Sequence, residues 1–519
     1  MVVPNNKRFV MKKEFSLAME KGEVWWGGAV LDGVNMPLHE KSEYTLNCVV
    51  NETYNQVNGL FTSNLGRYIY VGGEFVLRVK GGVMQFSELT GDADMQSGFE
   101  DLRGAFRAAY KKHCSRKRDV RQSLLLKPQY CTWMHCLKEP SQEKVLAYAQ
   151  SIVDGGMPVG ALIIDDCWQA DYGDWEFSSS FTDPKKMIEQ LHQLGFEVML
   201  WICPFVNESA STFATLKEQN ALVRDGNGNV AMREWWNGVS AVLDLTAPSA
   251  QAFFQKRLDD LTALGADGFK FDAGDAFYYK HDDLTYAPTT PNGQSLLYAE
   301  VAAKYEASEL RACVGMGGEA VLQRLCDKRS SWHNREGMGA LVPDMLQAGM
   351  SGYIYCCADM IGGGQGAEGN AIDYRAKEEL FLRACQCAAL MPCMQFSLDI
   401  WSEKVPERLR KAIKKYASLR VELGEYFKAT IESCEKDGEP ILRPLEYQFP
   451  NEGFALVNDQ FMLGEKYLVA PIVEQGVEKK KVRLPKGKWK YVPSGEAFEG
   501  GAEAEVSAST YELPYFERI

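Results

Sequence analysis

Gly268-Phe269-Lys270-Phe271-Asp272-Ala273-Gly274-Asp275 decides how the rest of the chain is read. Four residues of strand character end in a carboxylate, followed by a small residue, a glycine and a second acid. A hydrophobic strand that delivers an acid to a turn is how an α/β barrel presents a reactive group at its C-terminal face. Taken alone, the stretch also allows an Asp that caps the next helix.

The flanking segments repeat the strand–helix pattern. Upstream, Tyr130–His135 reads as a strand, and Ser141 caps a helix that runs to Val153 and stops at Gly155-Gly156. Ala161–Ile164 is a second strand, closing on Asp165-Asp166-Cys167-Trp168. Asp183-Pro184 opens a helix as cap and first-turn proline, and Gly195 ends it. Phe196–Phe205 is a third strand. Pro248–Leu264 is a helix ended by Gly265, and the opening stretch is the fourth strand. Downstream, Glu309–Val314, a segment near Arg324–Trp332, Gly352–Cys357 and Leu390–Phe396 complete eight. Repeats of this length predict a (β/α)8 TIM barrel over residues 127–428.

Residues 1–126 read instead as a β-sandwich with a linker. Tyr44–Val50, Arg67–Val71 and Glu74–Val79 are β-branched or aromatic runs, the later two followed by glycine pairs. Phe99–His113 reads as a connecting helix and Ser115–Arg121 as a basic linker. Within this region Trp25-Trp26-Gly27-Gly28 reads as a flexible loop presenting aromatic faces, or as two core indoles at a strand edge. Residues 429–519 form a small C-terminal β-domain, with strands at Tyr467–Val473, Lys481–Pro485 and Lys488–Val492.

Composition narrows the function. The 519 residues are 46% hydrophobic and 24% charged, which is ordinary for a globular protein with room for a large core. A net charge of −13 disfavours a nucleic-acid partner, whose phosphates would be repelled, and is compatible with a neutral substrate. The 11 Trp and 23 Tyr suit sugar stacking as well as core packing. Fourteen cysteines without a paired framework read as buried thiols of a reducing compartment, and no CxxC pair suggests zinc. Residues 1–8 carry no apolar leader and no span resembles a membrane helix, so the expectation is a cytoplasmic protein with no metal or cofactor. A homo-oligomer is allowed but not required.

Acids therefore gather at strand ends: Asp165, Asp166, Asp272, Asp275 and Asp359, with Asp327 in a further candidate. Paired carboxylates on one barrel face suit glycoside hydrolysis. Asp165-Asp166 beside Trp168 suits sugar recognition, because carboxylates accept hydrogen bonds from hydroxyls and an indole packs on C–H faces. Any one acid could equally be a cap or an ion-pair member.

Phe269-Lys270-Phe271-Asp272-Ala273-Gly274 resembles the nucleophile motif of glycoside hydrolase family 31, and Arg324-Leu325-Cys326-Asp327 followed by Ser330-Ser331-Trp332 resembles its acid/base segment. Trp25-Trp26-Gly27-Gly28 resembles an N-terminal loop of the family's α-galactosidase-like branch. Asp359-Met360-Ile361-Gly362-Gly363 and Leu484-Pro485-x-Gly487-x-Trp489 also fit. The resemblance implies a retaining enzyme with Asp272 as nucleophile and Asp327 as acid/base. It implies that Arg311 contacts substrate and orients the carboxylates. Trp25, Trp26, Asp165, Asp166, Trp168, Trp201, Lys270, Asp275, Trp332 and Gln395 complete the candidate substrate contacts. Relatives often carry Glu where Asp275 stands. Arg324 and Ser397 stand where α-glucosidase-type relatives place Trp and His, which favours an α-galactoside over a glucoside. The mechanism implies carboxyls about 5–5.5 Å apart, with the Asp327 pKa raised and Asp272 ionised. The partner would be a small oligosaccharide or α-glycoside. Rival readings are an α-glucosidase, α-xylosidase or α-N-acetylgalactosaminidase, a transglycosylase, and a non-catalytic carbohydrate-binding or regulatory protein.

Overall fold

The computed structural model describes residues 13–50, 56–114, 120–363 and 373–519. The readings of residues 1–8 and of most of the basic linker from Ser115 lie outside them. Eight parallel strands form one sheet: β1 (Gln129–Cys131), β2 (Ala161–Ile164), β3 (Glu197–Ile202), β4 (Gly268–Phe271), β5 (Ala307–Leu310), β6 (Leu322–Arg324), β7 (Cys356–Cys357) and β8 (Gln395–Phe396). They pair in chain order, and β8 lies beside β1. Parallel bridges Cys357↔Cys393 and Ile361↔Phe396 join the two ends into a barrel. Helices α1 (Gln142–Asp154), α2 (Pro184–Gln193), α3 (Pro248–Leu264), α4 (Pro291–Ala302), α5 (Met338–Met350) and α6 (Glu378–Ala389) fall between strands.

The local signals explain the boundaries. The Ser141 side chain accepts from the Lys144 amide at 3.3 Å, and that of Asp183 from the Lys186 amide at 3.0 Å. Gly265 ends α3 with φ +123°. Several strands differ from expectation: β3 stops at Ile202, β5 runs Ala307–Leu310 instead of Glu309–Val314, and β7 and β8 shorten to Cys356–Cys357 and Gln395–Phe396. The chain turns helical at Trp133–Cys136 instead of extending β1 to His135. β6 is only three residues long, because beyond Leu325 the Lys328 amide bonds to the Asp359 carboxylate instead of a strand neighbour. Asp327 is therefore on a loop.

The N-terminal strands make two antiparallel sheets, of four and five strands, that meet through Phe61, Phe75 and Phe86. Helix Leu102–His113 follows. The tryptophan pair is not a loop. It lies in strand Val24–Ala29, and both indoles are buried. The following glycines serve close packing: a Cβ at Gly27 would come within 2.1 Å of the Leu60 carbonyl. Their carbonyls face α5, with Gly27 O accepting from Gln347 Nε2 at 2.6 Å and Gly28 O from Ser351 Oγ at 3.2 Å.

At the other end, helix Gly424–Asp437 precedes a six-stranded and a two-stranded β-sheet that begin at Leu442. Trp489 is buried there with its indole N–H on the Pro485 carbonyl at 2.7 Å, which explains the Pro-x-Gly-x-Trp spacing. Among the described residues no helix is long and apolar enough to cross a membrane. Among the described residues no disulfide forms, and every cysteine but Cys167 is buried.

Candidate active site

The barrel interior is polar near its C-terminal end. Trp201, Lys270 and Glu309 occupy one register level on β3, β4 and β5. Above them a cavity of about 230 Å³ is lined by Trp133, Asp165, Asp166, Trp201, Trp236, Lys270, Asp272, Arg311, Arg324, Asp327 and Met360. Pockets for drug-sized ligands run roughly 300–1,000 Å³, so this one suits a smaller ligand such as a single sugar unit.

Asp272 directly follows β4 and is held by four groups. Trp201 Nε1 donates to Oδ2 at 3.0 Å and the Ala273 amide to Oδ1 at 2.9 Å. Arg311 Nε and Arg324 Nη2 lie 3.5 and 3.8 Å from Oδ1. Burial alone would raise this carboxyl. The guanidinium groups of Arg311 and Arg324, with the Lys270 ammonium, outweigh burial and hold it well below the usual carboxylate range. The turn after it is forced. Ala273 takes φ +54° and Gly274 φ +73°, and a Cβ at Gly274 would meet the Tyr298 ring at 2.3 Å. Tyr298 of α4 donates its hydroxyl toward the carbonyls of Ile202 and Asp272, each at 3.0 Å, and so ties the ends of β3 and β4 together.

Asp327 reaches the same cavity from its loop with half of its side chain exposed. Arg324 Nη1 pairs with it at 2.7 Å and with Asp359 at 2.8 Å, while Arg324 Nε faces Glu309 at 3.2 Å. The raised pKa expected for Asp327 is not found. Desolvation pushes it up, but Arg324 and then Arg311 bring it below its ordinary value. Burial raises other acids here, Asp166, Asp275 and Glu309 among them, and Asp359 is pushed to about 6 by burial and by the charge of Asp327, against the pull of Arg324. Arg324, read in the sequence as part of the acid/base segment and as a departure from the Trp of relatives, is thus a cation shared by Asp272, Glu309, Asp327 and Asp359.

The adjacent acids on β2 differ in what binds them. Asp165 takes Lys270 Nζ at 2.7 Å and Cys131 Sγ at 3.0 Å, both on Oδ2, leaving Oδ1 without a protein donor among the described residues. Asp166 is filled. Its Oδ1 accepts from the Cys167 amide at 2.6 Å and Tyr172 OH at 2.7 Å; its Oδ2 accepts from Asn237 Nδ2 at 2.7 Å and Trp236 Nε1 at 3.3 Å. A carboxylate offers about four acceptor positions. Asp166 therefore pins a hairpin, strands Arg233–Trp235 and Gly238–Val242, whose Trp236-Asn237 turn forms one cavity wall.

Several candidates lie elsewhere. Trp25 and Trp26 are in the N-terminal sheet and do not line the cavity. Trp168 is fully buried, its N–H on the Trp201 carbonyl at 2.7 Å and its ring on Phe177; the turn at Cys167 (φ +69°) sends it back under β3. Asp275 is fully buried behind the cavity and pairs with Arg311 at 2.6 Å. It precedes a 3-10 turn without capping it. Gln395 lies beneath the cavity, donating to Glu309 at 2.5 Å and Gln129 at 3.0 Å. Trp332 packs on the core and Ser397 bonds to the Gly363 carbonyl; neither lines the cavity. Sequence reasoning missed Trp133, Trp236 and Met360. Trp236-Asn237-Gly238 carried a readable Asn-Gly hairpin signal.

Residues 126–429 match the family model for the TIM-barrel domain of glycosyl hydrolases family 31, and residues 438–519 match that family's C-terminal domain. Myogenesis-regulating glycosidase of Mus musculus is 35% identical over 388 residues, covering 72% of this chain and 53% of that protein. Sulfoquinovosidase of Escherichia coli (strain K12) is 25% identical over 367 residues, covering 66% and 53%. The chain thus spans about half the length of these curated relatives. A Flavobacterium johnsoniae dextranase complexed with glucose superposes with a TM-score of 0.86 at 19% identity, covering 98% of this chain and 66% of that one. A soil-metagenome α-xylosidase complexed with xylose gives 0.85 at 20%, covering 98% and 79%. At these identities the structural likeness speaks to the fold.

Proposed function

Since the chain belongs to glycosyl hydrolase family 31, we propose that it is a retaining, exo-acting α-glycoside hydrolase whose preferred substrate is an α-galactoside. The observation that carries the reaction is one guanidinium, that of Arg324, lying against both Asp272 and Asp327 at the wall of a sugar-sized cavity. Asp272, kept ionised, attacks the anomeric carbon while Asp327 gives its proton to the glycosidic oxygen. The C–O bond breaks, the aglycone leaves as an alcohol, and a β-glycosyl ester of Asp272 remains. Asp327 then takes a proton from water as that water attacks the same carbon, which frees Asp272 and restores the α configuration. Lys270 and Trp201 hold the floor of the cavity, and the open Oδ1 of Asp165 accepts from a sugar hydroxyl.

Asp327 must start protonated, yet Arg324 holds its pKa below the ordinary value. The half-exposed side chain supports a change on binding. A bound sugar covers it and strips water from it, and desolvation raises a carboxyl.

The galactose preference rests on Asp165-Asp166 at the end of β2 and on Arg324 and Ser397 standing where α-glucosidase-type relatives place other residues. The relatives include proteins named sulfoquinovosidase, α-glucosidase and α-xylosidase, so the sugar is the part to test first. A panel of nitrophenyl α-glycosides does so. Galactoside turnover above glucoside, xyloside and N-acetylgalactosaminide is expected. A preference for the glucoside or xyloside overturns the sugar assignment, and no turnover on any member overturns hydrolysis. Product analysis at high acceptor concentration separates hydrolysis from transglycosylation.

A further inference from the structure

We propose that Gln56, a residue of the N-terminal domain, is a positioning residue for the barrel's two cavity arginines. Gln56 is fully buried. Its single amide nitrogen donates to the backbone carbonyl of Arg311 at 3.1 Å and to that of Arg324 at 2.6 Å. One side chain thus clamps the backbone of both residues whose guanidinium groups lie against Asp272, and one of which holds Asp327.

The neighbours of Gln56 make the clamp rigid. Its own carbonyl accepts from the Val30 amide at 2.8 Å. The Val57 carbonyl accepts from the Gly315 amide at 2.8 Å and from Tyr353 OH at 2.9 Å. Asn58 Nδ2 donates to the Ser351 carbonyl at 2.7 Å. The strand starting at Val57 is therefore fastened to the segments that follow β5 and precede β7, and Gln56 is the contact that reaches the arginines. Removing its donor takes the Gln56 bond from the buried Arg311 carbonyl and leaves the Arg324 carbonyl with the longer 3.2 Å bond from Gln323 Nε2, which frees the backbone at the ends of β5 and β6 to shift. The guanidinium groups act at 3.5 and 3.8 Å on Asp272, where a small displacement weakens the charge interaction that keeps it ionised.

The test compares Gln56→Met with Gln347→Met. Both remove a buried amide from the same seam, but Gln347 bonds to the Gly27 carbonyl and not to an arginine. On an activated α-glycoside, Gln56→Met is expected to lower kcat about 10- to 100-fold, as sub-ångström misplacement does, with little change in KM. The acidic limb of its pH profile should move up as Asp272 loses its cations. Gln347→Met should lower Tm comparably and leave kcat and the profile in place. Equal behaviour of the two variants, per folded molecule, overturns the proposal. Crystal structures of wild type and Gln56→Met give a readout independent of activity. Displaced guanidinium groups support the clamp, and unchanged arginine–carboxylate distances overturn it. A wild type inactive on every α-glycoside would sink the hydrolase reading and leave the crystallographic comparison to decide the role of Gln56.

Discussion

The end of β4 and the loop after β6 each bring a carboxylate to one cavity by opposite means. Asp272 is built in. It continues a buried strand, its turn is fixed by Gly274 against Tyr298, and both oxygens take protein donors. Asp327 is tethered. It stands three residues beyond the strand, half exposed, and its side chain accepts a hydrogen bond from Arg324. The difference matches the proposed chemistry. A nucleophile gains from a fixed position and a fixed charge. An acid that later serves as base must change protonation, which a loosely held, solvent-reached carboxyl can do as substrate covers it.

Substitutions can break this contrast in order of severity. Asp272→Asn should abolish turnover by about 10⁴- to 10⁶-fold on every substrate, the scale of losing a nucleophile. Asp327→Asn should cost about 10²- to 10⁴-fold on a disaccharide and much less on a nitrophenyl glycoside, whose leaving group needs little protonation. Equal losses on both substrates would reverse the roles. Next, Arg324→Met should lower kcat and move the pH limbs. Arg324 now depresses the Asp327 pKa, and activity falls as pH rises through that pKa, because the acid loses its proton. Without the guanidinium the pKa rises, so the falling limb of kcat/KM should move roughly 1–3 pH units upward. Unmoved limbs would show that Arg324 does not control Asp327.

The β2 acids sharpen the contrast on a smaller scale. Asp165→Ala should cost roughly 10- to 100-fold in kcat/KM, the worth of a charged hydrogen bond. Asp166→Ala should cost less and act through the hairpin, seen as faster amide exchange over residues 233–242. Trp25→Ala should have the least effect on chemistry. It should lose about 3–5 kcal/mol of stability while each folded molecule keeps its activity; a large fall in kcat would return Trp25 to the site.

The barrel was legible because its signals are local. Ser141, Asp183-Pro184 and Gly265 punctuate helices by capping and backbone geometry, and strands such as Ala161–Ile164 are short apolar runs. Asp272 was legible because an acid at a barrel strand end can face the mouth. Trp168 and Asp275 misled because they also follow strand ends. There a positive-φ turn sends the next side chain back into the protein, and the direction of one turn is not written in residue type. Trp25-Trp26-Gly27-Gly28 misled for a related reason: glycines that permit a loop also permit a sheet to approach a helix closely.

By itself the sequence determined the barrel, the strand that carries Asp272 and the presence of a second acid at Asp327, because period, capping and chain spacing are properties of neighbours along the chain. Only the tertiary structure decided which acids face the cavity, that Asp165 is open while Asp166 is filled, and that Arg324 binds Asp327 and lowers its pKa. Those outcomes depend on donors such as Lys270, 105 positions from Asp165, and Asn237, 71 positions from Asp166, and on burial, which the whole fold creates even where, as for Arg324 and Asp327, the partners are three residues apart.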